Sequence, residues 1–147
     1  MKNILLLSTL FVSFSAFGQA DSDEHPVRVC DIMPVLEQCE NEDKDQLQPC
    51  MQLLIRELLM NEVSYPEASK EAEIEGIIYI SFIIEKDGSV GEIMFMRDIG
   101  DSAAANSLKS EVKRALRNLP VFTPGTNEDG EPVRVKTVTT YNYPPSK

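Results

Sequence analysis

Glu-Gly-Ile-Ile-Tyr-Ile-Ser-Phe-Ile-Ile-Glu-Lys-Asp-Gly-Ser, residues 75–89, is the stretch that decides the fold. Apolar side chains occupy every second position from Ile78 to Ile84, and Tyr79 and Ser81 lie between them. A period of two is typical of a strand that buries one face. The stretch therefore predicts the central strand of a sheet.

A hairpin is expected immediately after this strand. Asp87-Gly88 favours a tight turn because glycine accepts a positive φ and aspartate tolerates one. The second arm is predicted over Ser89–Arg97. Its apolar positions change phase by one residue, which predicts a β-bulge near Gly91.

The composition indicates one soluble domain that follows a processing segment. The chain has 147 residues, of which 42% are hydrophobic and 26% are charged. Residues 1–19 have the pattern of a signal peptide, with Lys2 before an apolar run and small residues at its end. We expect cleavage before Gln19, with a site before Asp21 as the alternative. The apolar run, about 14 residues long, is shorter than the roughly 20 needed to span a bilayer, so no membrane span is predicted.

The charge of the chain argues against two classes of partner, nucleic acid and anionic lipid. The formal net charge is −10 at pH 7. Nucleic-acid binding requires lysines and arginines that replace phosphate counterions, and anionic lipid makes the same demand. A domain of this size can also bury a sufficient core without help, so no cofactor is expected.

Three cysteines, Cys30, Cys39 and Cys50, allow a disulfide in an exported chain. Any two of them can pair. We favour Cys39 with Cys50, because these two flank the acidic run Glu40–Asp45 and would connect it to the next helix. Cys30 would then be free or would join two chains. A metal site is disfavoured because the spacing is wrong for zinc and His25 is the only histidine.

The first half of the chain predicts an arm and two helices. Residues 20–33 are polar and aperiodic, and predict a mobile arm with one short edge strand at Val27–Val29. Residues 34–143 form the predicted domain, and residues 144–147 form a tail. Apolar spacing predicts an amphipathic helix from near Pro49 to about Glu62, and Pro66 begins a second, short helix.

The second half predicts one more helix and one more strand. Asp101 or Ser102 is a suitable N-cap for a helix that Pro120 ends, and Pro132–Tyr141 is a strand rich in Val and Thr. The fold class is therefore α+β. We expect a two-layer sandwich in which a small antiparallel sheet, the hairpin plus the C-terminal strand, packs against helices.

Taken in order, these landmarks resemble the C-terminal domain of the TonB family, over about residues 34–141. The matching motifs are Tyr65-Pro66, Glu75-Gly76, the 78–84 strand, Asp87-Gly88-Ser89-Val90, Leu119-Pro120, Phe122-Thr123-Pro124-Gly125 and Pro132-Val133-Arg134-Val135. The lead-in with Cys39 and Cys50 is similar to that of exported TonB-like proteins of Bacteroidetes-type bacteria. Three positions depart from the family pattern: Ser69 replaces Ala, Glu73 replaces Gly and Phe122 replaces Trp.

The resemblance implies a mode of binding, in which an extended peptide from an outer-membrane transporter adds to the sheet edge. A complete energy transducer of this family carries an inner-membrane helix and a Pro-rich spacer, and these residues show neither pattern. The resemblance therefore implies binding for this chain, but not energy transduction. The implied partner is an envelope protein, with the plug peptide of a TonB-dependent transporter as the candidate.

The candidate partner-binding residues lie mainly on the C-terminal strand, whose predicted edge position would leave main-chain groups unpaired. They are Val133, Val135, Thr137, Thr139 and Tyr141. The resemblance adds Tyr65 and Pro66 as the frame of a peptide groove. The alternative for the strand is a purely structural role, with its edge covered by residues 20–32. The alternative for Tyr65 is a packed helix start.

Two other functions are alternatives to peptide binding. One is a structural or regulatory envelope protein that keeps the fold and self-associates as a homodimer, through the sheet edge or Cys30. The other is an enzyme, which is disfavoured because the lone His25 lies in the arm and no phosphate-binding loop exists. A basic stripe of Lys109, Lys113, Arg114 and Arg117 is interpreted as a solvated helix face, with an acidic partner as the alternative.

Overall fold

The computed structural model describes residues 25–97 and 99–143. The predicted signal peptide (1–19), the first part of the arm (20–24) and the tail (144–147) lie outside the described residues.

Six helices and strands follow one another in the predicted order, after one turn of 3-10 helix at Glu37–Cys39. They are α1 (Lys44–Glu62), α2 (Glu67–Glu71), β1 (Gly76–Ile84), β2 (Val90–Arg97), α3 (Ala103–Arg117) and β3 (Val135–Tyr143).

The three strands form one antiparallel sheet in the order β2-β1-β3. The pairing of β1 with β3 runs without a shift from Gly76 opposite Tyr143 to Ile84 opposite Val135. The pairing of β1 with β2 is shifted between Phe82 and Ile84, which confirms the bulge expected near Gly91. A second shift, between Tyr79 and Ile80, was not expected.

The helices cover one face of this sheet. Alternate residues of β1, from Ile78 to Ile84, are buried beneath α1 and α3, together with Ile55 of α1 and Leu116 of α3. Ser102 is the N-cap of α3, where its hydroxyl accepts a hydrogen bond from the Ala105 N–H at 3.1 Å. The predicted two-layer α+β sandwich is confirmed.

Helix α1 begins earlier than predicted, at Lys44 and not near Pro49. Its first turn forms because the Asp43 carbonyl accepts hydrogen bonds from the N–H groups of Gln46 and Leu47, at 2.8 and 2.9 Å. Pro49 lacks the N–H that would bond the carbonyl of Asp45. Since Asp45 is exposed, water can replace that bond. The acidic run Glu40–Asp45, which was predicted to precede the helix, therefore ends inside it.

Strand β3 begins three residues later and ends two residues later than predicted. Val133 is buried but lies outside the strand, because its N–H donates to the Gly125 carbonyl at 2.9 Å. At the other end, pairing with Gly76 extends the strand to Tyr143.

Two of the positions that depart from the family pattern, Ser69 and Glu73, lie in α2 and in the turn after it. Glu73 has a φ of 48°, a left-handed conformation that glycine adopts without strain. The buried Ser69 donates a hydrogen bond from its hydroxyl to the Ala104 carbonyl at 2.7 Å, which connects α2 to α3.

Candidate functional site: the edge of strand β3

The candidate site is the main-chain edge of β3 that faces away from β1. In a strand, the N–H and C=O of successive residues point to opposite sides. The N–H of Lys136 and the C=O of Val138 both bond groups outside the sheet, so the even-numbered residues of β3 point outward. The odd-numbered residues, Val135 to Tyr143, consequently bond β1.

The beginning of this edge is covered by the N-terminal arm. Val27 donates its N–H to the Arg134 carbonyl at 2.9 Å and accepts the Lys136 N–H at 2.7 Å. The result is one parallel bridge at Val135, where a short strand over Val27–Val29 was predicted. The arm therefore covers the first residues of the β3 edge, as the structural alternative for this strand predicted.

Helix α1 reaches the middle of the edge. The Nε2 atom of Gln52 donates a hydrogen bond to the Val138 carbonyl at 3.0 Å. Beyond this point, the outward main-chain groups of Thr140 and Asn142, and the N–H of Val138, have no partner among residues 25–97 and 99–143. This part of the edge is open to another strand.

The predicted partner-binding side chains are mostly buried. Val133, Val135, Thr139 and Tyr141 lie in the core, and Thr137 is half-buried. They face the helices because β1 and β3 pair residue by residue, which aligns the odd positions of β3 with the buried even positions of β1. Their structural contribution is to hold the strand. Any main-chain contact from outside would fall on the residues between them.

A groove with a volume of about 460 Å³ lies beside the edge. Helix α1, the arm and β3 form its walls. Its apolar lining includes Met33, Met51 and Ile55, and its polar lining includes Arg28, Gln52 and Lys136. The groove is therefore mainly apolar at its base, with two cations at its margin, in a chain whose net charge is negative.

Tyr65 contacts the other end of β3. Its ring packs edge-to-face on Tyr143, with the centroids 4.2 Å apart, and its hydroxyl donates to the Ser69 carbonyl at 3.3 Å. Pro66 is the N-cap of α2. Tyr65 therefore lies against the end of β3. Tyr65 and Pro66, which were predicted to frame a peptide groove, do not line the groove beside α1.

An ion pair fixes the start of β3. Arg134 donates from Nε to Oε2 of Glu85 at 2.7 Å and from Nη2 to Oε1 at 3.1 Å. Gly91 lies against this carboxylate, and a Cβ atom there would collide with Glu85. The bulge in β2 and the position of Arg134 are therefore linked through one carboxylate.

The predicted disulfide is confirmed: Cys39 and Cys50 are joined, with their Cα atoms 6.0 Å apart. It connects the 3-10 turn to α1. Cys30 is free, and its thiol donates to the Ile32 carbonyl at 3.0 Å. Burial, together with the nearby charge of Asp31, raises the pKa of the Cys30 thiol.

The basic stripe of α3 is largely engaged within the chain. Lys109 is buried and donates to the Gly100 carbonyl at 2.8 Å, and Lys113 lies 5.3 Å from the centre of the Phe95 ring. Arg114 bonds the carboxylate of Glu111 and the carbonyl of Glu62. Three of the four cations thus have an intramolecular partner.

Gln52 is the site residue that the sequence reasoning missed. It was one polar position of an amphipathic helix, without any feature that distinguished it from Gln48. The sequence contains only a partial signal: Gln48 and Gln52 are spaced by four and lie beside the buried Met51 and Ile55, which places both at the margin of the apolar stripe without distinguishing between them. Polar residues beside an apolar stripe lie at the margin of a packed helix, where they can reach an exposed strand edge.

Two classes of site have no candidate in the part of the chain that the structure describes. No group of three or more His, Cys, Asp or Glu side chains there can hold a metal ion. No helix within that part is long and apolar enough to cross a bilayer.

Comparison with known families gives one match. The C-terminal domain of the TonB protein of Gram-negative bacteria matches residues 61–145, more than half of the chain. No curated protein matches the sequence.

Two of the solved structures that are similar to the chain are of Helicobacter pylori TonB-CTD, in solution by NMR. The one of its residues 194–285 is 23% identical, covers 64% of this chain and 95% of that one, and has a TM-score of 0.41. The one of its residues 179–285 is 24% identical, covers 65% and 83%, and has a TM-score of 0.42.

Proposed function

Because the chain belongs to the family of Gram-negative TonB C-terminal domains, we propose that it is a non-catalytic protein-binding domain of the cell envelope. TonB C-terminal domains are periplasmic, and the Cys39–Cys50 disulfide is consistent with export to an oxidising compartment. The partner in this proposal is an outer-membrane transporter, which contributes an extended segment such as its plug peptide.

The single observation that carries the proposal is the open part of the β3 edge. The N–H of Val138 and the outward groups of Thr140 and Asn142 lack partners among the described residues. An extended peptide satisfies such groups by adding one strand to the sheet, and its alternate side chains then reach neighbouring pockets. The groove beside α1 provides such a pocket, and its apolar base favours an aliphatic side chain.

The candidate residues divide into two roles under this proposal. The buried Val135, Thr139 and Tyr141 keep β3 in register with β1, and the outward main-chain groups bind the peptide. Tyr65 supports the end of the strand through its ring contact with Tyr143. Thr137 is a half-buried residue within β3, Val133 precedes the strand, and Pro66 is the N-cap of α2.

Proline at position 140 tests the proposal directly. Thr140→Pro removes one outward N–H, and an edge strand tolerates proline where its N–H faces solvent. Peptides from the plug regions of the host's transporters are titrated into the variant and into the parent protein, with binding followed by fluorescence anisotropy. We expect saturable binding by the parent and at least a tenfold loss in the variant, about 1.4 kcal/mol.

The matched control is Thr123→Pro, which changes an exposed threonine away from β3. Its N–H donates to the Val35 carbonyl and its hydroxyl donates to a carboxylate oxygen of Glu40, so this variant loses both bonds without touching the edge. Equal binding by the parent and Thr140→Pro, or an absence of binding by the folded parent to every plug peptide, would refute strand addition at this edge.

A further inference from the structure

The groove beside α1 is built mainly from residues that precede the family match. The match covers residues 61–145, whereas the arm and α1 contribute lining residues between positions 28 and 55. Strand β3 contributes residues 136–138, and Ile84 at the end of β1 completes the lining. The arm and α1 thus add a cavity beside an edge strand that lies inside the match.

The charge of this groove is opposite to the charge of the chain, which contains 24 acidic and 14 basic residues. Among the described residues no Asp or Glu lines the groove, whereas Arg28 and Lys136 do. Lys136 also borders a smaller cavity that contains Glu92. Arg28 is exposed and forms no ion pair within residues 25–97 and 99–143. Arg28 is therefore the cation that the groove presents to a ligand.

The groove begins where the open part of the β3 edge ends. The Lys136 N–H bonds the Val27 carbonyl, and the Val138 N–H is the first outward N–H without a partner among the described residues. A strand that pairs with Asn142, Thr140 and Val138 meets the arm about two residues further on, roughly 7 Å at the rise of an extended chain. Because the arm occupies the edge there, the added peptide leaves the edge at the groove.

We propose that the groove selects the sequence of the added peptide, by binding one aliphatic side chain at its base and one acidic side chain at Arg28. This inference rests on the proposed function, since the peptide must also add to β3. The aliphatic side chain lies against Met51 and Ile55, which are buried and apolar. The acidic side chain lies about two positions away, towards the arm, because Arg28 directly follows Val27 and side chains on one face of an extended chain alternate.

The size of the groove agrees with this occupant. Its volume of about 460 Å³ is in the lower part of the range for ligand pockets, roughly 300–1,000 Å³. Such a volume suits a few side chains of a peptide whose main chain is held elsewhere, at the strand edge. An apolar base with one cation at its margin is the chemical complement of an aliphatic residue next to a carboxylate.

The charge of the remaining surface gives this pairing its selectivity. A net charge of −10 disfavours an acidic peptide over most of the chain, so its attraction is confined to the groove. Complementary charges at the margin of an interface fix register and suppress incorrect partners. The pairing with Arg28 therefore determines which end of the peptide reaches the arm.

Peptide variants test the selection first. The probe is the plug-region peptide of the host's transporters that binds the parent protein most tightly, followed by fluorescence anisotropy. Each of its residues is replaced in turn by Ala, and each of its acidic residues by Lys. We expect losses of affinity at one aliphatic and one acidic position about two residues apart. Lys at that acidic position weakens binding about tenfold at low salt, and the loss becomes smaller at high ionic strength.

A charge exchange then assigns the acidic position to its partner. Arg28→Glu should weaken binding of the parent peptide about tenfold and should restore most of the binding of the Lys-containing peptide. The matched control is Arg97→Glu, which makes the same change of charge at an exposed residue of β2, on the other side of β1. This control should leave the affinities of both peptides nearly unchanged.

The outcomes separate this inference from strand addition. Equal binding of the parent peptide and its Lys variant, or a loss in Arg28→Glu no larger than in Arg97→Glu, would overturn selection by the groove. Strand addition would still stand if Thr140→Pro abolished binding. Unchanged binding by Thr140→Pro would refute strand addition, whatever the result at Arg28. A folded parent protein that binds no plug peptide would overturn both proposals.

Discussion

Gln52 and Val138 are joined by a hydrogen bond between the side-chain Nε2 of one and the main-chain oxygen of the other, at 3.0 Å. The bond connects the margin of α1 to the outer edge of β3. It satisfies one of the main-chain groups that an added strand would use, so the helix competes with an incoming peptide at this position.

The first prediction concerns the removal of the Gln52 side chain, which competes with the peptide for the Val138 carbonyl. Gln52→Ala should lower the free energy of unfolding by about 0.5–1.5 kcal/mol, the usual net value of one hydrogen bond. The same change should tighten peptide binding severalfold, because the Val138 carbonyl becomes available. Chemical denaturation and a peptide titration give the two values.

Gln48→Ala is the control for this prediction, since Gln48 lines the same groove without bonding the edge. Weaker peptide binding by Gln52→Ala than by Gln48→Ala would mean that Gln52 itself contacts the peptide.

Backbone strain at Glu73 gives the second prediction. With a φ of 48°, this residue has a conformation that is unfavourable for a side chain with a Cβ. Glu73→Gly should therefore raise the free energy of unfolding by about 0.5–1 kcal/mol, despite the greater freedom of glycine in the unfolded chain. The control is Glu71→Gly in α2, which should destabilise the fold by about 1 kcal/mol. Equal losses of stability in Glu73→Gly and Glu71→Gly would contradict the backbone strain assigned to Glu73.

The contact between Gly91 and Glu85 gives the third prediction. Gly91→Ala places a Cβ against a carboxylate that cannot move freely, because it holds Arg134 in two hydrogen bonds. We expect a loss of about 1–3 kcal/mol. In the Glu85→Ala background the same substitution should cost much less, because the colliding carboxylate is gone. Strict additivity of the two losses in a double-mutant cycle would show that the collision is absent.

The reactivity of Cys30 gives the fourth prediction. Its pKa is raised by burial and by Asp31, so the thiol form persists to higher pH in the folded protein than in the unfolded chain. The associated stabilisation is complete below the unfolded pKa and is lost as the pH rises through the folded pKa. Alkylation of Cys30 by iodoacetamide at pH 7–8 should therefore be slower than alkylation of a free cysteine. The midpoint of the curve of alkylation rate against pH should lie at higher pH.

The unfolded peptide of residues 26–34 is the reference for this measurement. If Cys30 in the folded protein reacts as fast as this peptide over the whole pH range, burial does not protect it, and a chain-linking role for Cys30 gains support.

The parts of the fold that depend on local pattern were predictable. Period two identified β1, Asp87-Gly88 identified the hairpin, and the phase change near Gly91 identified the bulge. The N-cap at Ser102 and the Cys39–Cys50 disulfide also followed from residue type and spacing. Each of these features is determined by residues close together in the chain.

The parts that depend on distant pairing were not predictable. The bounds of β3 depend on the bonds of Val133 to Gly125 and of Val27 to Lys136, and no periodicity in 130–145 reports them. The outward-facing edge of β3 was not predictable from periodicity either. The sequence pattern identified the strand, but only the register with β1 decides that the even-numbered residues face outward. Gln52 was missed for this reason.

The most direct test of the central claim is amide hydrogen exchange of β3, measured by NMR with and without a saturating plug peptide. In the free protein the amides of Thr139 and Tyr141 should be protected, and those of Thr140 and Asn142 should exchange quickly. The account predicts that the peptide slows exchange at Thr140 and Asn142 at least tenfold and leaves the other two unchanged. Fast exchange at Thr140 and Asn142 in the saturated complex would contradict strand addition at this edge.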